Sequence, residues 1–252
     1  MNQNRLISKY SNQVIHLYQS GRNALFSTLF PWNCPCCGSL LPFPQVLCES
    51  CVQLKEAIQA PFCKLCGIPF PPHWTVKTCP DCKEKRLPLT QIRSAYRYEG
   101  LVREMIHSAK YGGKARMLRF FAEQLFEIVS AEFPRSIRVI VPVPLHRFRE
   151  WDRKWNQAAF LANEIGRLSG LPVLLALKKM EQTKTQSSLS GAARRANLRG
   201  AFNSVIAVPK SVLLVDDVIT TGATLSECAR VLRKAGACRV HAVTIARTVL
   251  RC

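Results

Sequence analysis

From residue 91 onward the chain alternates short apolar runs with longer amphipathic stretches. Residues 91–98 predict a strand, 100–108 a short helix, and 115–133 an amphipathic helix with apolar positions near i, i+3, i+4 spacing. Residues 137–143 are a β-rich run ended by Pro142 and Pro144, and 155–168 predict a helix stopped by Gly170 and Pro172. A second apolar run covers 171–177. Residues 212–215, a helix over 222–235 closed by Gly236, and a run at 239–246 then complete a βαβ unit. This alternation predicts an α/β fold: a mainly parallel sheet with helices on its faces and ligands at the carboxyl ends of its strands.

Before residue 90 that rhythm is missing. Residues 1–30 carry an amphipathic stretch (Val14, Ile15, Leu17, Tyr18, Leu25, Phe26, Leu29, Phe30), read as an N-terminal helical extension without a signal peptide. Nine cysteines follow, at 34, 36, 37, 48, 51, 63, 66, 79 and 82, against three (228, 238, 252) in the rest of the chain. Three segments are therefore expected: an extension at 1–30, a cysteine-rich domain at 31–88 and the α/β domain at 89–252. No apolar run reaches 18 residues, so no membrane-spanning helix is expected and the chain is placed in the cytoplasm.

Eight of the cysteines form C-x-x-C pairs: Cys34/Cys37, Cys48/Cys51, Cys63/Cys66 and Cys79/Cys82. Two intervening residues let both thiolates of a knuckle turn toward one ion, and two knuckles complete the four-thiolate shell of structural zinc. A thioredoxin-type redox pair would need the motif beside a βαβ pattern, and a disulfide scaffold an oxidising compartment. Two zincs are expected; sequential pairing of the knuckles is simplest, and interleaved pairing stays open. Cys36 is a spare that could replace Cys34 or Cys37, and His73 reads as a loop residue. Gly38 and Gly67 follow the second cysteine of a knuckle, where a positive φ is often needed. Such a shell leaves no open coordination position, so its task is folding a proline-rich segment that cannot build its own core.

Charge changes the picture for partners. Lys and Arg total 36 against 16 Asp and Glu, a formal +20, with most of the excess after residue 90. Two four-thiolate zinc sites would lower this to about +16, still strongly basic and suited to polyanions.

One stretch carries specific chemistry: Val212-Leu213-Leu214-Val215-Asp216-Asp217-Val218-Ile219-Thr220-Thr221-Gly222-Ala223-Thr224. A buried strand delivers two carboxylates able to accept bonds from vicinal hydroxyls, and a hydroxyl-rich turn then opens a helix whose N–H groups can surround a phosphate. Thr224 and Glu227 also fit a capping box. The stretch lacks G-x-G-x-x-G spacing, and Gly112-Gly113-Lys114-Ala115 lacks the form of a P-loop.

This assembly resembles the PRPP-binding signature of type I phosphoribosyltransferases. The resemblance implies that Asp216, Asp217, Thr220, Thr221, Gly222, Ala223 and Thr224 hold PRPP, and that Pro144, Leu145, His146 and Arg147 form a pyrophosphate loop working with Mg²⁺. Arg149, Arg153, Lys154 and Trp155-Asn156-Gln157-Ala158 resemble a segment of the ComF/GntX family, although Lys154-Trp155 stands where that family usually has Gly-Phe. Residues 182–202, with Gln186, Leu189, Arg194, Arg195 and Asn197, resemble its mobile loop, and Lys110-Tyr111-Gly112-Gly113 resembles a further segment. Cysteine knuckles ahead of a phosphoribosyltransferase-like sheet are also that family's arrangement.

Membership implies PRPP or ribose 5-phosphate as ligand, single-stranded DNA as partner and a role in DNA uptake during natural transformation, alongside competence-machinery proteins. Phe148, Arg149, Trp151, Arg153, Lys154 and Trp155 are the DNA-binding candidates, because aromatics interleaved with cations suit single strands. A PRPP-dependent transferase with an unidentified acceptor and a PRPP sensor without turnover are the alternatives. No nucleobase-selecting segment is recognisable, and the cysteine-rich region stands in its place.

Overall fold

The computed structural model describes residues 32–41, 46–53, 57–85, 87–111, 115–145, 156–180 and 200–249. The chain divides into two compact units, Met1–Lys55 and Glu56–Cys252. That division falls between the two cysteine clusters. The reason is local: the second cluster is hydrogen-bonded into the sheet of its own unit.

In the first unit, strands β1 (Trp32–Asn33) and β2 (Leu40–Leu41) pair antiparallel and helix α1 spans Glu49–Gln53. Cys34 N–H donates to Ser39 O at 2.8 Å and Gly38 N–H to Cys34 O at 2.8 Å, closing the tight turn that carries the first knuckle.

The second unit begins with another knuckle and helix α2 (Pro80–Glu84), followed by β3 (Gln91–Arg97), α3 (Gly100–Tyr111), α4 (Ala115–Glu132) and β4 (Val139–Pro142). Then come α5 (Gln157–Ser169), β5 (Leu177–Lys179), β6 (Phe202–Ser204), β7 (Ser211–Ile219), α6 (Ala223–Lys234) and β8 (Arg239–Arg247). Four strands form a parallel sheet in the order β3-β8-β7-β4, and β5 and β6 make a separate antiparallel pair. Residues 212–215 are fully buried, as expected of a parallel strand covered on both faces. Val212 and Leu214 share one apolar cluster with Leu225, Cys228, Ala229 and Leu232 of α6. The period-two alternation turns Leu213 and Val215 to the opposite face. Helices α4 and α5 pack on each other, α4 against β3 and β8, and α5 against β4 and β7.

Strand β3 is an edge of this sheet, and the cysteine-rich segment covers it. Ala57 bridges Tyr96 antiparallel, Ile58 N–H donates to Ala95 O at 2.8 Å, and Ile92 N–H donates to Leu65 O at 2.7 Å. The backbone groups of a bare edge are thereby satisfied within the chain.

Three elements differ from the sequence pattern. The strand expected at 212–215 runs on to Ile219, because β8 is long enough to pair Asp216 with Thr244 and Val218 with Ala246, and the ladder forms whatever the side-chain polarity. Of the run at 171–177, Val173 bridges Ile140 and Leu177 opens β5. The helix expected from 155 starts at Gln157, because Asn156 is its N-cap: its Oδ1 accepts from Ala159 N–H at 3.2 Å.

Candidate functional site

The fold gathers the cysteines into two groups, Cys34/Cys37/Cys48/Cys51 and Cys63/Cys66/Cys79/Cys82, the sulfurs of each group all within 4.8 Å of one another. Sequential pairing is thus the arrangement the fold brings together. Cys37 and Cys48 sulfurs lie 3.5 Å apart, and those of Cys66 and Cys79 lie 3.7 Å apart. Those separations are far above the ~2.05 Å of a disulfide. They match the edge of a tetrahedron, about 3.8 Å, set by Zn–S bonds of ~2.3 Å. The donor set fits zinc, and with four thiolates its service is structural.

The knuckle backbone favours the thiolate at the leading cysteine of each group, Cys34 and Cys63, whereas burial raises Cys51, Cys66 and Cys82. Burial alone would raise Cys34, but backbone N–H groups of Cys48, Cys37 and Cys36 outweigh it and hold the thiol at about 6. Cys63 behaves alike: burial raises it, and donors at Cys66, Cys79 and Leu65 bring it to about 7. Cys79 N–H reaches the Cys63 sulfur at 3.4 Å. Cys36 lies outside the four-sulfur group, and burial together with the neighbouring Cys34 thiolate pushes it up to about 12. His73 is likewise outside the cluster and exposed.

Both knuckle glycines have positive φ, +79° at Gly38 and +73° at Gly67. They differ in surroundings. A Cβ on Gly67 would lie 2.7 Å from the Ile92 carbonyl oxygen, whereas one on Gly38 would meet nothing within 4 Å.

At the carboxyl edge of the sheet, β7 delivers Asp216 and Asp217, both half-buried. Asp217 N–H donates to Asp216 Oδ1 at 2.9 Å and Val218 N–H to Asp217 Oδ1 at 2.7 Å, so each carboxylate is held by the following backbone amide. Thr220 and Thr221 are exposed, Gly222 takes φ +73°, and α6 begins at Ala223. The left-handed glycine is the N-cap with no side-chain cap bond, so the capping box drawn from Thr224 and Glu227 does not form. Glu227 is buried and instead accepts from Gly200 N–H at 3.1 Å and Arg230 Nη1 at 2.7 Å, which ties Gly200 to α6. Ala223 N–H donates to Thr221 Oγ1 at 3.4 Å, so the first helical turn opens beside its own threonine hydroxyls, and a helix N-terminus so furnished suits a phosphate.

The next strand end adjoins this loop. Val143 N–H donates to Val215 O at 2.9 Å, so the chain leaves β4 immediately beside Asp216, and Pro144 and Leu145 start the expected pyrophosphate loop there. Asn156 closes the base of that loop by donating from Nδ2 to Val143 O at 3.2 Å. His146, Arg147, Phe148, Arg149, Trp151, Arg153, Lys154 and Trp155 lie outside the described residues, as do Gln186, Leu189, Arg194, Arg195 and Asn197. Met180 N–H donates to Ala201 O at 2.9 Å and Phe202 is buried.

Two residues carry roles that sequence reasoning missed. Arg247, buried at the end of β8, pairs with Ile219 at the end of β7 and donates from Nη1 to the carbonyl of Cys66. His241 is buried against Phe133, with neither ring nitrogen hydrogen-bonded among the described residues. His241 lies in the run at 239–246, which marked it only as a strand position, and Arg247 falls one residue past that run's expected end.

A parallel sheet with this strand-to-helix loop and two four-cysteine clusters define a phosphoribosyltransferase-type domain joined to a double zinc ribbon. Residues 161–248 match the family described as phosphoribosyl transferase domain, and residues 25–83 the double zinc ribbon domain. The chain belongs to the ComF/GntX family: it is 32% identical over 223 residues to competence protein F of Haemophilus influenzae, covering 84% of this chain and 95% of that protein. It is 32% identical to competence protein ComFC of Bacillus subtilis, covering 83% of this chain and 87% of that protein. DNA utilization protein YhgH of Escherichia coli K12 is 28% identical, covering 81% and 91%. Among solved structures, glutamine PRPP amidotransferase from B. subtilis is 25% identical with a TM-score of 0.35, covering 50% of this chain and 26% of that one. Among the described residues no helix is long and apolar enough to cross a membrane.

Proposed function

We propose that this protein binds PRPP or ribose 5-phosphate and handles single-stranded DNA in the cytoplasm during natural transformation, in concert with competence-machinery proteins. The observation that carries the ligand is the junction of β7 and α6. Asp216 and Asp217 are the acceptors for the ribose hydroxyls, their carboxylates already oriented by backbone amides. Thr220, Thr221, Gly222, Ala223 and Thr224 cradle the 5′-phosphate, and Pro144, Leu145, His146 and Arg147 are the residues assigned to the pyrophosphate. Mg²⁺ bound with PRPP supplies charge neutralisation there. The DNA role rests on the strongly basic chain and on the competence and DNA-utilization names of its relatives.

Calorimetry with PRPP tests the placement: the wild type gives binding heat, and an Asp216→Ala/Asp217→Ala variant gives essentially none. Equal heats would refute it. Transfer to an unidentified acceptor, or PRPP sensing without turnover, is the second reading, favoured by the match of the whole 161–248 segment to a phosphoribosyltransferase domain. Release of pyrophosphate on adding a candidate acceptor separates transfer from sensing.

A further inference from the structure

The second zinc ribbon carries an open groove of about 600 Å³ at the amino end of the sheet. Gln91, which opens β3, and Glu132, which ends α4, both line it. The phosphate loop follows the carboxyl end of β7, a nine-residue strand about 30 Å long, so the two lie at opposite ends of the sheet.

The groove combines aromatic faces with cations. Trp74 is 41% exposed, and its ring is braced by Phe70 at 5.3 Å, tilted 35°. Phe70 in turn packs with Cys63 and Cys79, so the indole rests on the folded knuckle rather than on a free loop. Trp74 N–H donates to Pro71 O at 3.0 Å, which fixes the backbone beneath the ring. Lys64 N–H donates to Lys77 O at 2.9 Å, so two exposed lysines rise from adjoining backbones on the groove. Arg93 lies over the Phe62 ring at 4.7 Å. The carboxylate lining the groove, Glu132, is already engaged by Arg93, and the lysine charges are left for an incoming anion.

We propose that this groove binds single-stranded nucleic acid, a base stacking on Trp74 while Lys64 and Lys77 contact the flanking phosphates. An open trough with a rigid aromatic platform and paired cations suits any base, because every base offers a π-face, and selects for a backbone of repeated negative charge. The inference rests on the nucleic-acid reading above and moves the contact from the 147–155 segment to the zinc ribbon. Its consequence is mechanical: DNA held at the amino end leaves the phosphoribosyl site open, so the two ligands bind together without competing.

The test is fluorescence anisotropy of a labelled oligo-dT with the full-length, zinc-loaded protein at low salt. Trp74→Ala should weaken binding about tenfold or more, and Trp74→Phe should retain most of it. Lys64→Ala/Lys77→Ala, at exposed positions that leave the fold alone, should flatten the slope of log affinity against log salt by about 1.4 for two lost phosphate contacts on a single strand. Zinc content and PRPP heat should match wild type in all three, and saturating PRPP should leave DNA affinity unchanged. If the wild type binds oligo-dT while the tryptophan and lysine variants bind equally well and Arg149→Ala/Arg153→Ala loses affinity, the groove is overturned and the DNA reading stands. If the wild type binds no oligonucleotide, the DNA reading itself fails. Displacement of oligo-dT by polyglutamate as readily as by unlabelled DNA would also overturn the proposal, since it would show attraction to acidic polymers without stacking.

Discussion

The two four-cysteine clusters share one spacing rule and differ in what surrounds them. The first sits among a pair of two-residue strands and a five-residue helix. The second is threaded into the edge of the sheet: Leu65 accepts from Ile92 N–H, Lys64 accepts from Arg93 Nη1 at 3.1 Å, and Cys66 accepts from Arg247. The same knuckle chemistry therefore folds a small unit in one place and completes the edge of a large one in the other. A structural metal stabilises whatever its ligands are bonded to, and its loss is felt that far.

The largest expected effect separates the clusters outright. Cys63→Ser, in the second, should cost several kcal/mol and lower the Tm of the sheet on the order of 10 °C, because its ribbon covers β3. Cys37→Ser, in the first, should release its zinc with little change in the sheet's melting. Differential scanning calorimetry with zinc analysis measures both, and equal Tm losses would break the comparison.

Arg247→Met comes next. It removes a buried cation and leaves the Cys66 carbonyl without that donor, a loss of about 1–3 kcal/mol. Chelator-driven zinc release should accelerate at the second site and stay at the wild-type rate at the first, a biphasic trace in place of a common rate.

Acid offers a third separation. Burial, followed by the nearby Arg239 charge, lowers His241 from 6.5 to about 4. The unfolded chain takes up this proton near pH 6.5 and the folded chain only near 4. Stability is therefore full above about 6.5 and falls as pH drops toward 4, by up to about 3 kcal/mol. Urea melts of wild type and His241→Leu across that window should converge in slope only if the histidine is not the source.

The glycines differ from each other by the smallest margin. Gly67→Ala meets both a left-handed φ and the Ile92 carbonyl, and should cost about 2–3 kcal/mol. Gly38→Ala meets only the φ penalty, about 1 kcal/mol. A reversed order in the two melting curves would mean that the second knuckle yields more easily than its packing implies.

Much of this was legible in the chain because it depends on neighbours in sequence. The C-x-x-C spacing determined the knuckles, the positive φ at Gly38 and Gly67 followed from the tight turn, and the run from Val212 to Thr224 announced a buried strand that carries two carboxylates into a helix. Alternating apolar runs determined the α/β class, since burial on both faces demands continuous apolar strands. Tertiary structure alone decided how far the strands run and what lies beside them. Asp216 stays in the ladder because β8 is present to pair with it, and Glu227 abandons a capping role because Gly200 and Arg230 reach it first. The meeting of Cys37 with Cys48, the covering of β3 and the bond from Arg247 to Cys66 join residues from 11 to 181 positions apart. Local pattern carries no information about such distances, because chain closure brings them together only after the core has formed.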